Sequence, residues 1–212
     1  MRLGGPLLIG LSGPIGCGKS TVGRMLAQSG GRLIDADDLA REVTAAGEEA
    51  LSDIRRRFGD TVVSGAELDR AALASLVFAD AAALRDLEQI VHPRVRRRVE
   101  AELARAGEDG VSLVVLEAIK LVEGGLAERC DEVWIVDCPP DLQRARLAAR
   151  GMPAADVERR LAAQGEDLSG RLAEVLEGRV PTRTISTAAT LDETRQLVTA
   201  ALREARKRSG GA

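Results

Sequence analysis

Short apolar runs alternate along this chain with stretches of helical spacing, and that alternation predicts most of its elements. Residues 7–11 form an apolar run that stops at a glycine-rich loop. Val22, Met25 and Leu26 then keep helical spacing until Gly30-Gly31, and residues 32–34 make a second short strand ending at Asp35-Ala36-Asp37. Residues from about 38 to 106 read as a helical block, with Leu51, Ile54 and Phe58 on one face and Leu73, Leu76 and Val77 on another. His92-Pro93 punctuates that block, with the proline suited to the first turn of a new helix. Residues 111–116 and 132–137 are near-continuous apolar runs, the pattern of parallel strands buried on both faces.

Pro140 opens a further helix that ends near Arg150-Gly151, and a charged helical stretch follows from Pro153 to Gln164. Residues 184–186 form a weak last strand. Thr190 and Glu193 have the spacing of a capping box at the head of a final amphipathic helix, whose basic end at 203–208 leads into a frayed tail at 209–212. The strand–helix alternation predicts an α/β fold: an open parallel five-stranded sheet with helices on both faces. The expectation is one domain over residues 1–208.

Composition narrows the setting. A chain of 212 residues, 45% apolar and 30% charged, fits one globular domain, and a net charge of −3 gives no nucleic-acid footprint. Lys19, Lys120 and Lys207 are the only lysines among 30 basic residues. Cys17, Cys130 and Cys138 are odd in number and show no CxxC or metal-ligand spacing, so reduced thiols in the cytoplasm are expected. No apolar run approaches the roughly 20 residues that span a bilayer, and the apolar start at residues 7–11 is too short for a signal segment, so no membrane partner is expected.

The chemistry begins at Gly13-Pro14-Ile15-Gly16-Cys17-Gly18-Lys19-Ser20, which fits G-x-x-x-x-G-K-[ST] with a strand before it and a helix after. Successive amides of such a loop form an anion nest, and the following helix adds its positive N-terminus. Gly13, Gly16 and Gly18 allow the close approach this requires, and Cys17 and Thr21 complete the stretch around the phosphates. Lys19 would reach the β- and γ-phosphates of ATP, and the Ser20 hydroxyl would be a ligand for Mg2+. Cys17 implies no partner, and a structural role for it is expected over a redox one.

A phosphate loop alone does not separate a kinase from a GTPase or motor ATPase. Asp35-Ala36-Asp37 at the end of the second strand does, because a metabolite kinase needs a carboxylate there to take the proton of the attacking hydroxyl. Asp37 could also cap the helix that follows. No Asn-Lys-x-Asp guanine signature is present.

The stretch from Leu8 through the loop and the run Ile34-Asp35-Ala36-Asp37-Asp38-Leu39-Ala40-Arg41-Glu42-Val43 closely resemble the dephospho-coenzyme A kinase family. The likeness continues through Phe58-Gly59, Leu68-Asp69-Arg70, Val77-Phe78, Ile90-Val91-His92-Pro93, Asp131 to Val136, Gln143-Arg144-Ala145-Arg146 and Arg160 to Gln164, in the family's order. The resemblance implies transfer of the ATP γ-phosphate to the ribose 3′-hydroxyl of dephospho-coenzyme A. It implies Asp37 as base, Asp35, Arg41 and His92 around the acceptor, and Arg146 of the Q-x-x-R motif on the transferring phosphoryl group. The helical block over about 38–106 is then expected to bind the acceptor, and Gly151 and Gly165, which bound a helical stretch, point to a lid over about 151–182. Another small-metabolite or nucleoside-monophosphate kinase, and a nucleotide-binding module without turnover, are the alternatives. Two departures stand out: Glu117-Ala118-Ile119-Lys120 replaces the family's Pro-Leu-Leu-x-Glu, and residues 165–187 are long and end in Ile185-Ser186-Thr187 where the family has Ile-Asp-Asn. Glu117 could hold a magnesium-bound water or be a buried, paired carboxylate.

Overall fold

A computed structural model describes residues 5–165 and 167–210 of the chain, in two compact units: one up to Ile34 and again from Arg105 onward, the other from Asp35 to Ala104. In the first unit, β1 (Leu7–Ser12) lies at the centre of a five-stranded sheet and leads into α1 (Lys19–Gln28). The edge strand β2 (Arg32–Asp35) follows, and its last residue opens the second unit.

The second unit begins with α2 (Ala36–Val43) and α3 (Glu49–Phe58). A tight antiparallel pair comes next, β3 (Val63–Ser64) with β4 (Glu67–Leu68), and then α4 (Arg70–Ala79) and α5 (Ala81–Glu108). Its core gathers Ile54, Val62, Leu73, Val77 and Ala83, with Phe58 and Leu87 against them. Two expectations are corrected here. The block is not wholly helical, because the hairpin interrupts it; Gly65 turns that hairpin at φ 63°, and two-residue strands carry too little alternation to be read from sequence. Nor does Pro93 start a new helix. It lies inside the 28-residue α5, where it removes one backbone donor while the turns on either side continue.

The first unit resumes with β5 (Leu113–Glu117), β6 (Glu132–Asp137), α6 (Pro140–Ala149), α7 (Ala154–Gln164), α8 (Leu168–Leu176), β7 (Thr182–Ser186) and α9 (Leu191–Gly210). Strand order is β2-β5-β1-β6-β7, with β1 parallel to β5 and β6, and β6 parallel to β7. β1 and β5 are buried along their whole length, which is why they read as apolar runs. Alternate residues Leu7, Ile9 and Leu11 face α1 and α9, whose Val22, Leu26, Val198 and Leu202 complete that layer with Trp134. The opposite face closes tightly: a Cβ on Gly10 would lie 2.8 Å from both Cys130 Sγ and Leu121 Cδ2.

α9 starts as its sequence requires. The Glu193 amide donates to Thr190 Oγ1 at 3.3 Å and the Thr190 amide to Glu193 Oε2 at 3.0 Å. The Thr190 hydroxyl, which donates to Glu193 Oε2 at 2.7 Å, and then the Thr190 amide hold the Glu193 carboxyl below its ordinary range. α9 remains helical through Gly210, and the rest of the expected frayed tail, residues 211–212, lies outside the described residues. No helix among the described residues is long and apolar enough to cross a membrane.

Candidate active site

The loop between β1 and α1 leaves the carboxyl end of the central strand, where open parallel sheets carry their ligands. Gly13, Gly16 and Gly18 all take positive φ (132°, 79° and 92°), and a Cβ on Gly13 would collide with the Val136 carbonyl of β6. Gly18 is the left-handed N-cap of α1, and its carbonyl accepts from the amides of Thr21 and Val22 at 2.9 and 3.0 Å. The ammonium of Lys19 folds back to donate to the carbonyls of Gly13 (2.8 Å) and Pro14 (3.0 Å), so it rests on the loop instead of extending into solvent. That posture holds the charge at the mouth of the amide nest.

Two glutamines clamp Ile15 from opposite sides. Gln143 of α6 donates to its carbonyl at 2.6 Å, and the Ile15 amide donates to Gln164 Oε1 of α7 at 2.6 Å. Gln143 and Gln164 also line a cavity of about 900 Å³ with Pro14, Asp137 and Ser169. Sequence reading placed both glutamines inside motifs but gave them no role; amide groups three residues past Pro140 and eleven past Pro153 carry no local signal of a distant backbone partner.

Cys17 departs from expectation. Its sulfur is joined to Cys138, just past β6, in a disulfide with a Cα–Cα separation of 5.2 Å, within the ordinary range. A sequence separation of 121 hid the pair from spacing rules, which look for nearby cysteines. Cys130 is buried, and its thiol donates to the Leu126 carbonyl at 3.5 Å.

Ser20, in the first turn of α1, donates to Glu117 Oε1 at 3.0 Å. Glu117 ends β5 beside Leu11 of β1 and is only 8% exposed. A hydroxyl and a carboxylate this close offer hard oxygen donors of the kind Mg2+ prefers. The Thr21 hydroxyl accepts from Arg24 at 3.3 Å.

Arg146 of α6 lies beside the loop. Its Nη1 and Nη2 donate to the side chain and carbonyl of Thr187 at 2.8 and 2.6 Å, and it lines a cavity of about 370 Å³ with Gly18, Thr21 and Arg150. Thr187, 5% exposed just past β7, was noted in the sequence only as a departure from the family.

The remaining candidates belong to the second unit. Asp35 caps α2, its Oδ1 accepting from the amides of Asp37 (2.8 Å) and Asp38 (3.2 Å). The cap is therefore Asp35 and not Asp37, because the N-cap residue is the one that precedes the first helical turn. Asp37 stands in that first turn, half-buried. Arg41 is exposed on α2 and pairs with Asp38, one turn back. His92 is half-buried on α5 in a hollow of about 360 Å³ with Arg85, Glu88 and Arg96.

A phosphate nest on the central strand of a parallel sheet, a lysine at its mouth and a hydroxyl–carboxylate pair beneath it define a P-loop kinase. Residues 7–174 match the family described as CoaE, dephospho-CoA kinase. The dephospho-CoA kinase of Geobacter sulfurreducens is 44% identical over 160 residues, covering 74% of this chain and 81% of the relative. That of Thermobifida fusca is 42% identical over 192 residues, covering 81% and 95%. The crystal structure of TT1252 from Thermus thermophilus superposes with a TM-score of 0.77 at 35% identity, covering 94% of this chain and 98% of that one. The chain belongs to the dephospho-CoA kinase family. It is a kinase of coenzyme A biosynthesis that uses ATP.

Proposed function

We propose that this kinase transfers the γ-phosphate of ATP, bound with Mg2+, to the ribose 3′-hydroxyl of dephospho-coenzyme A, with Asp37 as the base. The loop amides and Lys19 cradle the phosphates, and Ser20 with Glu117 hold the metal and its waters. Bound there, the cation supplies neutralisation of charge on the phosphate oxygens. Asp37 takes the proton of the 3′-hydroxyl as its oxygen bonds to the γ-phosphorus. The bond to the β-phosphate oxygen breaks, and ADP leaves with the electron pair. Arg146 stabilises charge on the transferring group, since phosphoryl transfer depends on positioning and electrostatics more than on covalent chemistry. Arg41 and His92 bind the acceptor.

The observation that carries this reading is the Ser20–Glu117 contact beneath the nest, in a chain of this family. For Asp37, the support is its place as the second carboxylate of the motif, half-buried in the first turn of α2, in a chain of this family. Segment 151–182 is proposed as a lid that excludes water, because water would otherwise compete with the acceptor. Gly151 and Gly165, at φ 79° and 75°, bound its first helix, and Gln164 already reaches the loop.

An ADP-release assay with dephospho-coenzyme A, against nucleoside monophosphates as competing acceptors, tests the reading. Turnover with dephospho-coenzyme A alone supports it. Turnover with a nucleoside monophosphate, or none with any acceptor, overturns it. Hydrogen exchange of the unliganded and doubly bound protein tests the lid: equal protection of 151–182 in both states would make it a fixed part of the fold.

A further inference from the structure

We propose that Thr187 is a positioning residue for phosphoryl transfer: it fixes the Arg146 guanidinium beside the phosphate loop before substrates bind. The inference rests on the role given above to Arg146. The Thr187 amide donates to the Asp137 carbonyl at 2.9 Å, which ties the residue to the end of β6. Its hydroxyl has one proton and two lone pairs. The proton goes to the Cys17 carbonyl of the loop at 2.7 Å, in preference to the Asp137 carbonyl at 3.3 Å. One lone pair accepts from Arg146 Nη1 at 2.8 Å, while the Thr187 carbonyl accepts from Nη2 at 2.6 Å. Side chain and backbone of one residue thus present two acceptors to the two arms of the guanidinium, a match for its planar fork.

The consequence is electrostatic. Arg146 Nη1 comes within 3.9 Å of the Cβ position of Gly18, so its charge stands at the glycine that caps α1. A charge held there in advance needs no reorganisation when negative charge shifts during transfer, whereas an unanchored arginine must first give up much of its rotamer freedom. The same hydroxyl bonds the loop carbonyl, so the loop and the arginine take their positions from one atom. β-Branching stiffens that atom's χ1. Thr187 Cγ2 also lies 3.7 Å from the Gly18 Cβ position, leaving the rotamer little room to change.

The test compares wild type, Thr187→Val, Thr187→Ser, Arg146→Lys and the Thr187→Val/Arg146→Lys double variant as full-length proteins. It measures kcat and KM for ATP and dephospho-coenzyme A together with melting temperature. Valine keeps the shape and removes the hydroxyl, so kcat is expected to fall about 10- to 100-fold with the acceptor KM little changed. Serine is expected to restore most of that loss. Lysine cannot use the forked acceptor, so Thr187→Val is expected to cost under about two-fold on the Arg146→Lys background. Equal losses on both backgrounds, or serine as poor as valine, would overturn the proposal, as would a loss confined to KM. If valine prevents folding, Thr187→Ala removes the hydroxyl without placing a methyl against the Cys17 carbonyl, and the same comparison is made with it. A wild-type protein without transfer to dephospho-coenzyme A fails the functional reading itself; an active wild type with additive losses fails only the role of Thr187.

Discussion

Two buried glutamates stand near opposite ends of the two strands that flank β1 and do different work. Glu117 closes β5 at the carboxyl edge of the sheet and accepts from Ser20 beneath the phosphate nest. Glu132 opens β6 at the amino edge, 3% exposed, between Arg183 of β7 at 2.9 Å and Arg208 of α9 at 2.7 Å. Arg183 reaches on to Glu204 at 2.8 Å. Burial opposes the charge of Arg183, yet its hydrogen bonds to Glu132 and Glu204 outweigh that and raise its pKa. The amino-edge carboxylate ties β6, β7 and α9 together, and the carboxyl-edge one faces the loop. In a parallel sheet the strand ends differ because loops after the strands converge on ligands, whereas loops before them close the fold.

That contrast can be broken in order of expected effect. At the carboxyl edge, Lys19→Ala should lower turnover by roughly 10³-fold, since it removes a charge set on the phosphates. The melting temperature should move little, because the Lys19 ammonium is held on the loop carbonyls of Gly13 and Pro14 at the surface of the fold and its loss leaves the hydrophobic core intact. Near-normal turnover in that variant would remove the loop from the mechanism. Asp37→Asn and Glu117→Gln should each cost about 10²-fold in kcat. They differ in metal response: raising Mg2+ should recover part of the Glu117→Gln loss and none of the Asp37→Asn loss. Matching Mg2+ titrations of the two variants would contradict a metal role for Glu117.

At the amino edge the prediction reverses. Glu132→Ala should cost about 2 kcal/mol of stability and leave kcat per folded molecule unchanged. The figure lies below the usual cost of breaking a buried pair because Arg208 is 54% exposed and screened. Denaturant melts with kinetics on the folded fraction check both halves. The smallest effect concerns α9. Glu193 has a lowered carboxyl pKa in the folded state, so its contribution is present above the ordinary value of 4.5 and lost as pH falls through the lower folded value. Glu193→Ala should therefore melt a few degrees below wild type at neutral pH, and the gap should close in acid. A gap independent of pH would mean that the bonds at Thr190 do not depend on the charge.

The chain itself determined the phosphate loop, the buried strands and the cap of α9. Each depends on residues within about eight positions of one another: a glycine spacing, an apolar run, a Thr-x-x-Glu box. The D-A-D motif was equally local, although only the structure showed which aspartate caps α2. Pro93 inside α5 and the hairpin at residues 63–68 escaped because packing outweighed a helix breaker in one case and two-residue strands left no periodicity in the other. The disulfide between Cys17 and Cys138, the glutamine clamp on Ile15 and the hold of Thr187 on Arg146 span 41 to 149 residues. No local pattern encodes such pairs. They exist because parallel crossovers return each strand end to the same edge of the sheet, where a thiol, two amides and a hydroxyl from distant segments meet one loop.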